Sequence, residues 1–228
     1  MLERLRALRS KGFIPDTVLD IGAYHGTWTA ECRLVYPEAN YYLYEGIEYP
    51  ELDRFRTLEY SNTIKVFSGT ILNDKETDIV WYQQKNTGDS MFRERTHYFE
   101  NCEKVIRSTT TLDRHLVEQQ GMNPSSMGKI LIKIDTQGSE IPILKGGMRV
   151  VEKADFILLE VPFFGEYNKD VPGFRAHLEF MESIGFIPFD LFERHEMKGY
   201  NVQVDILFIH KNHEWNETVK KDLLNPWI

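Results

Sequence analysis

The sequence predicts a mostly parallel, doubly wound α/β sheet that ends in an antiparallel strand. Short apolar runs alternate with helical patterns, which is the signature of strands joined by crossover helices. One run, residues 130–134, is rich in branched apolar side chains, as a strand covered on both faces must be. Near the end, the runs 186–192 and 202–209 are separated by a polar stretch containing Gly199. That stretch is too short for a parallel crossover, which needs about a dozen residues or more, so the two runs form an antiparallel pair.

The elements follow in order. Leu2, Leu5 and Leu8 recur at helical spacing, so the start reads as a short amphipathic helix packed on its own domain. A strand over 17–21 leads into glycines and a helix to about Tyr36. Strands follow at 41–44 and 64–67, and an added strand at 78–82. Residues 83–107 are polar with few periodic cues; such a stretch is either a lid or binding loop, or a solvated excursion. The strand 130–134 precedes a helix over 140–153 and a strand at 156–161. A helix over 174–184 stops at Gly185. The end, 213–228, carries Trp215 and Trp227 and either caps the domain or packs on a second subunit, so a homo-oligomer stays open.

The 228 residues are 42% apolar and 27% charged, ordinary proportions for a globular protein. A chain of this length buries about 70% of its unfolded surface and needs no disulfide or metal staple. No repeat or linker divides it, so 1–228 reads as a single domain. The net charge of −8 argues against a general nucleic-acid binder, which needs a basic stripe against phosphates. Two cysteines, Cys32 and Cys102, read as reduced thiols of a cytoplasmic protein. No apolar run is long enough for a membrane span, and the start lacks the apolar stretch of a secretory signal.

The most informative segment is 18–26. A buried strand runs into Gly22, and Gly26 follows. In open α/β sheets, ligands bind outside the carboxyl ends of the strands. Gly22 permits the sharp turn and leaves no Cβ in the way of a ligand; Gly26 lets the next helix pack close. Glu45, at the end of the second strand, lies 23 residues after Gly22, near the spacing at which a carboxylate reaches ribose hydroxyls. A dinucleotide fingerprint wants a middle glycine to admit the pyrophosphate, but Tyr24 stands there. Asp20 would repel phosphates and accept hydrogen bonds from an ammonium. S-adenosylmethionine has an adenosine, an ammonium and a carboxylate, and no phosphate, so these residues favour it over a dinucleotide.

These and further segments resemble the FkbM family of methyltransferases. The likeness begins with Phe13, Ile14 and Pro15, then 18–23, Gly26, Trp28 and Thr29. It continues with Thr111, Leu112 and Asp113, and with Ile132, Lys133, Ile134, Asp135, Gly138, Glu140, Leu144, Lys145 and Gly146. Leu159, Glu160 and Val161, then 205–208, complete it, so it covers about 12–210, with 211–228 as a C-terminal extension. The resemblance implies a class I Rossmann-like fold, S-adenosylmethionine as cofactor, and methylation of a hydroxyl on a glycan or small metabolite. This chain has His25 where the family usually has Asn, and Gln137 where it usually has Glu. His25 keeps a hydrogen-bonding group; Gln137 loses a carboxylate, which alters or abolishes a base or a substrate contact.

On this reading the cofactor is held by Asp20, Gly22, Ala23, Tyr24, His25, Gly26, Glu45, Asp135 and the turn at Gly69, Thr70 and Ile71. Alignment of donor and acceptor lowers the barrier by about 7–11 kcal/mol, and a base near the acceptor hydroxyl adds about 10²–10⁴-fold. Asp135, Gln137 and Glu160 are the catalytic candidates. Asp135 is the first choice for positioning or deprotonating the acceptor; its alternative is to stabilise the following helix dipole. Glu140 belongs to the first turn of that helix. Glu160 lies in a buried-looking strand, so it either faces the cleft or has a cationic partner, for which Lys133 is a candidate. The histidines show no ligand spacing, and no metal is expected, although Asp135 and Glu160 with waters could hold a hard cation. His195 and His97 read as surface or hydrogen-bonded residues. Most of Trp81, Tyr82, Phe92, Tyr98 and Phe99 read as core or loop anchors, and some as lining an acceptor pocket. Two rivals remain: an NAD(P)-dependent oxidoreductase, disfavoured by Tyr24 and Asp20, and a non-catalytic S-adenosylmethionine-binding domain, kept open by Gln137.

Overall fold

A computed structural model describes residues 1–57, 60, 62–164 and 167–224. In order, the elements are α1 (Leu2–Ser10), β1 (Thr17–Ile21), α2 (Thr27–Val35), β2 (Asn40–Glu45), β3 (Ile64–Ser68), β4 (Ile71–Leu72), β5 (Asp78–Gln83) and β6 (Glu103–Thr110). They continue with β7 (Ile130–Ile134), α3 (Glu140–Lys145), α4 (Met148–Val151), β8 (Phe156–Pro162), α5 (Phe174–Ser183), β9 (Phe186–Met197), β10 (Tyr200–His210) and α6 (Glu214–Leu224).

Seven strands form one sheet in the order β3-β2-β1-β7-β8-β10-β9. Every pairing from β3 to β8 is parallel, and β10 runs antiparallel to both β8 and β9. The chain winds outward from β1 to β3, then returns to the other side of β1 with β7. The order therefore reverses between β1 and β7, which is where open α/β sheets place ligands.

All five residues of β1 and all five of β7 are buried, because successive side chains enter opposite cores. Leu19, Ile21, Ile132, Ile134 and Leu159 feed one core. Val18, Leu43, Leu131 and Leu158 feed the other, together with Leu5 and Leu8 of α1 and Cys32 of α2. At the far edge, Lys198 and Gly199 both have positive φ (51° and 81°), the two-residue hairpin geometry that matches strand twist.

Two expectations need correction, and one alternative is decided. The stretch 83–107 is not one loop: from Glu103 it becomes β6, paired antiparallel with β5 and parallel with β4 in a separate three-stranded sheet. Ile106 of this strand is left exposed, so no clean apolar alternation marks it. The helix 140–153 is broken at Gly146 and Gly147, where a Cβ on Gly146 would lie 2.1 Å from the Asn73 carbonyl oxygen. Trp215 packs among Phe13, Phe156 and Phe189, with ring centroids 6.4, 5.6 and 5.9 Å away. It caps its own chain; Trp227 lies outside the described residues. Among the described residues, no helix is long and apolar enough to cross a membrane.

Candidate functional site

At the carboxyl ends of β1, β2, β7 and β8 lies a cavity of about 540 Å³, a volume typical of small-molecule sites. Gly22, Tyr24, Glu45, Thr70, Ile71 and Trp81 wall one part; Asp135, Gln137, Glu160, His195, Gln203 and Asp205 wall another. Ala23 also lines it. Asp20, His25, Gly26 and Gly69 do not.

Gly22 (φ +81°) makes the sharp turn read from sequence, and a second constraint adds to it. A Cβ there would sit 1.8 Å from the Asp135 carbonyl oxygen. The room is used by the end of β7, where the Asp135 amide donates to the Ile21 carbonyl at 3.0 Å. Gly26 (φ +72°) likewise makes room for the Phe55 ring, which passes 2.3 Å from the place a Cβ would take, and not for α2. Between them, Tyr24 (φ +48°) stacks on His25 with centroids 3.7 Å apart.

Glu45 ties this loop to β2. Its Oε2 accepts the Tyr24 amide at 2.7 Å, and its Oε1 accepts the Ile47 amide at 3.0 Å. Burial pushes its carboxyl up to about 6, outweighing those hydrogen bonds. Each oxygen still has a lone pair to offer. Nearby, Arg107 donates to the carbonyls of Gly46 (2.9 Å) and Gly69 (3.2 Å), so β6 clamps the turns after β2 and β3.

Asp20 is fully buried beneath the cavity. Its Oδ2 accepts from Thr29 Oγ1 at 2.6 Å, and its Oδ1 lies 3.6 Å from the Lys133 ammonium. The ammonium that sequence reading assigned to a ligand is that of Lys133, its register partner on β7. Burial holds the Asp20 carboxyl above its ordinary range, with Lys133 opposing. Lys133 also meets Asp135 Oδ2 at 3.1 Å. Burial works against the Lys133 charge, but Asp135 and Asp20 prevail and raise its pKa.

Lys133 is therefore not the partner of Glu160. Two amides are: Gln137 Nε2 and Gln203 Nε2 donate to Glu160 Oε2 at 2.9 and 2.8 Å. Burial, and then Asp135 and Asp205, hold the Glu160 carboxyl well above its ordinary range. Across the antiparallel pair, Asp205 stands opposite Glu160, and His195 Nε2 lies 3.1 Å from Asp205 Oδ1 and 3.9 Å from Glu160 Oε1. Glu140 serves the scaffold: one oxygen accepts from Thr136 N, Thr136 Oγ1 and Gly138 N.

Sequence reading missed His195, Asp205 and Gln203 as parts of this wall. Of the aromatics it proposed for a pocket, Trp81 lines the cavity, while Tyr82, Phe92, Tyr98 and Phe99 do not. Trp28, Tyr44, Tyr49 and Tyr167 line it instead. Trp28 Nε1, Trp81 Nε1 and Gln137 Oε1 are buried in that wall with no hydrogen-bond partner among the described residues. Unmet donors and acceptors in a cavity wall suit a polar ligand.

A sheet of this order, with its crevice at the β1/β7 reversal, has the architecture of the class I Rossmann-like methyltransferases. The family model described as the Methyltransferase FkbM domain matches residues 20–188, and the chain belongs to that family. Among solved structures, a methyltransferase FkbM from Methylobacillus flagellatus KT is similar at 15% identity and a TM-score of 0.51, over 87% of this chain and 46% of that one. This chain thus spans about half the length of that relative. A 1,6-didemethyltoxoflavin-N1-methyltransferase from Burkholderia thailandensis, with bound 1,6-didemethyltoxoflavin and S-adenosylhomocysteine, matches at 12% identity and a TM-score of 0.49, over 92% of this chain and 78% of that one. Precorrin-6y C5,15-methyltransferase from Geobacter metallireducens GS-15 matches at 12% identity and a TM-score of 0.46, covering 92% and 88%. A sequence search of curated proteins found no match.

Proposed function

We propose that this chain, acting as one domain, transfers a methyl group from S-adenosylmethionine to a hydroxyl of a glycan or small metabolite. The observation that carries the reading is the Glu45-anchored loop at Gly22–Tyr24, facing a cavity in an FkbM-family sheet. The residues fit the donor. Glu45 has lone pairs for the two ribose hydroxyls, and the orphaned Trp81 indole N–H offers a donor beside Ile71 and Thr70. Ala23, Tyr24 and Asp135 would meet the amino-acid tail. Asp20, His25, Gly26 and Gly69 support the loops from behind. Tyr24 stands where a dinucleotide site needs a glycine, which argues against a dinucleotide.

When bound, the donor supplies a methyl group already activated as a sulfonium. The chain's work is then to align the acceptor and accept its proton. Asp135 is held by Lys133 and positions groups at the end of β7. Gln137 and Glu160 form a hydrogen-bonded pair that contacts the acceptor. The two free thiols, Cys32 and Cys102, suit a reducing cytoplasmic setting.

The test is a screen of metabolites and oligosaccharides with isotopically labelled donor, scored by mass. A labelled, base-stable O-methyl product supports the reading. Label on nitrogen or carbon would retain the donor and overturn the hydroxyl acceptor.

A further inference from the structure

We infer that His195, oriented by Asp205, is the base that takes the proton from the acceptor hydroxyl. The inference rests on the methyltransferase reading and deepens it.

β9 and β10 place the pair at the cavity. His195 is 39% exposed and Asp205 9%, so the imidazole meets the cavity while its partner is buried. Burial raises the Asp205 pKa, while the hydrogen bond to His195 and the imidazole charge lower it; once ionised, the carboxylate only accepts hydrogen bonds. Nε2, 3.1 Å from Asp205 Oδ1, therefore carries the hydrogen. The lone pair falls on Nδ1, which has no hydrogen-bond partner among the described residues. A base held by a hydrogen-bonded carboxylate is the recurring arrangement for activating a hydroxyl.

The two carboxylates that sequence reading put forward as catalytic are engaged. Asp135 pairs with Lys133, and Glu160 Oε2 accepts from both Gln137 and Gln203. Gln137 itself cannot take a proton, so a base must come from elsewhere, and His195 supplies it. The groups facing the imidazole are Asp205 on β10, Glu160 on β8, Asp135 and Lys133 at the end of β7, and Glu193 on β9 beside the Met1 amino group. The Asp205 hydrogen bond raises the imidazole pKa above 6.5 against the effect of burial, with Asp135 and Glu193 adding to the rise.

The step balances. The hydroxyl proton goes to Nδ1 as the oxygen takes the methyl group. The electron pair of the broken carbon–sulfur bond stays on sulfur, and the imidazolium faces Asp205.

Three measurements test this. In protein labelled with ¹⁵N-histidine, long-range proton–nitrogen correlation should place the neutral-form hydrogen on Nε2 and give a pKa above 6.5 that falls in Asp205→Asn. His195→Ala should bind S-adenosylhomocysteine as the parent does by calorimetry. The same variant should lose about 10²–10⁴-fold of labelled-methyl transfer into a metabolite extract, with partial rescue by added imidazole. A purely structural role would not give that rescue. A neutral-form hydrogen on Nδ1, or an equally active His195→Ala, overturns the inference alone. Failure of the parent protein to bind S-adenosylhomocysteine overturns the methyltransferase reading as well.

Discussion

Glu45→Gln tests the link between the glycine loop and the methyl donor. The carboxyl titrates near 6, against an ordinary 4.5, because burial disfavours its charge. Between those values the folded protein binds more protons than the unfolded chain. Ionising Glu45 therefore costs stability as pH rises from 4.5 through 6, by about 2 kcal/mol at most. Ribose hydroxyls donating to the carboxylate favour the ionised form and reverse part of that cost. Binding at pH 6 should then release about half a proton, and affinity for S-adenosylhomocysteine should rise about tenfold from pH 5 to pH 7. Glutamine keeps one acceptor oxygen but turns an N–H toward Tyr24 N or Ile47 N, and loses charge-assisted contacts of about 1.5–3 kcal/mol. Affinity should fall about 10- to 150-fold, and the proton release should vanish. Isothermal calorimetry in buffers of different ionisation enthalpy reads both. Equal affinity and equal proton release in the variant would refute the reasoning.

Lys133→Met leaves Asp20 and Asp135 without their cation and should cost about 3–5 kcal/mol in urea unfolding. Adding Asp20→Asn should recover much of that, and a double variant as weak as the single one would contradict the pairing. Gly22→Ala pushes a Cβ into the Asp135 carbonyl, so stability and S-adenosylhomocysteine binding should fall together in parallel melts and titrations. A stable variant that lost binding alone would return that space to the ligand. Trp81→Phe removes an indole N–H that has no partner among the described residues. It should leave the ligand-free melting temperature unlowered yet weaken S-adenosylhomocysteine about fivefold, the equivalent of about 1 kcal/mol; unchanged affinity would show that the ligand does not reach that nitrogen.

What the sequence made legible depended on local pattern. The buried run ending at Gly22, and Glu45 at the end of β2, could be placed because strand ends in a parallel sheet share one edge. The same logic brought Asp135, Gln137 and Glu160 to one cavity. Pairings across strands were harder. Asp20 stands opposite Lys133 in the β1–β7 register, and no local cue distinguishes that lysine from a partner of Glu160. His195 stands opposite Gln203 and so has Asp205 as a diagonal neighbour, in a register that follows the shift between Asn201 and Gln203, one of three shifts between β9 and β10. A sequence pattern of period two cannot foresee those. The alternating signal also failed for β6, which leaves Ile106 in solvent.

The central claim is that the turn leaving β1 holds the nucleoside of a methyl donor. The direct measurement is a crystal structure of the protein grown with S-adenosylhomocysteine. The account predicts ribose hydroxyls on Glu45, the adenine beside Trp81 and Ile71, and the amino-acid tail along Gly22–Tyr24. Density for the nucleoside away from Glu45, or none in this cavity at saturating ligand, would contradict it.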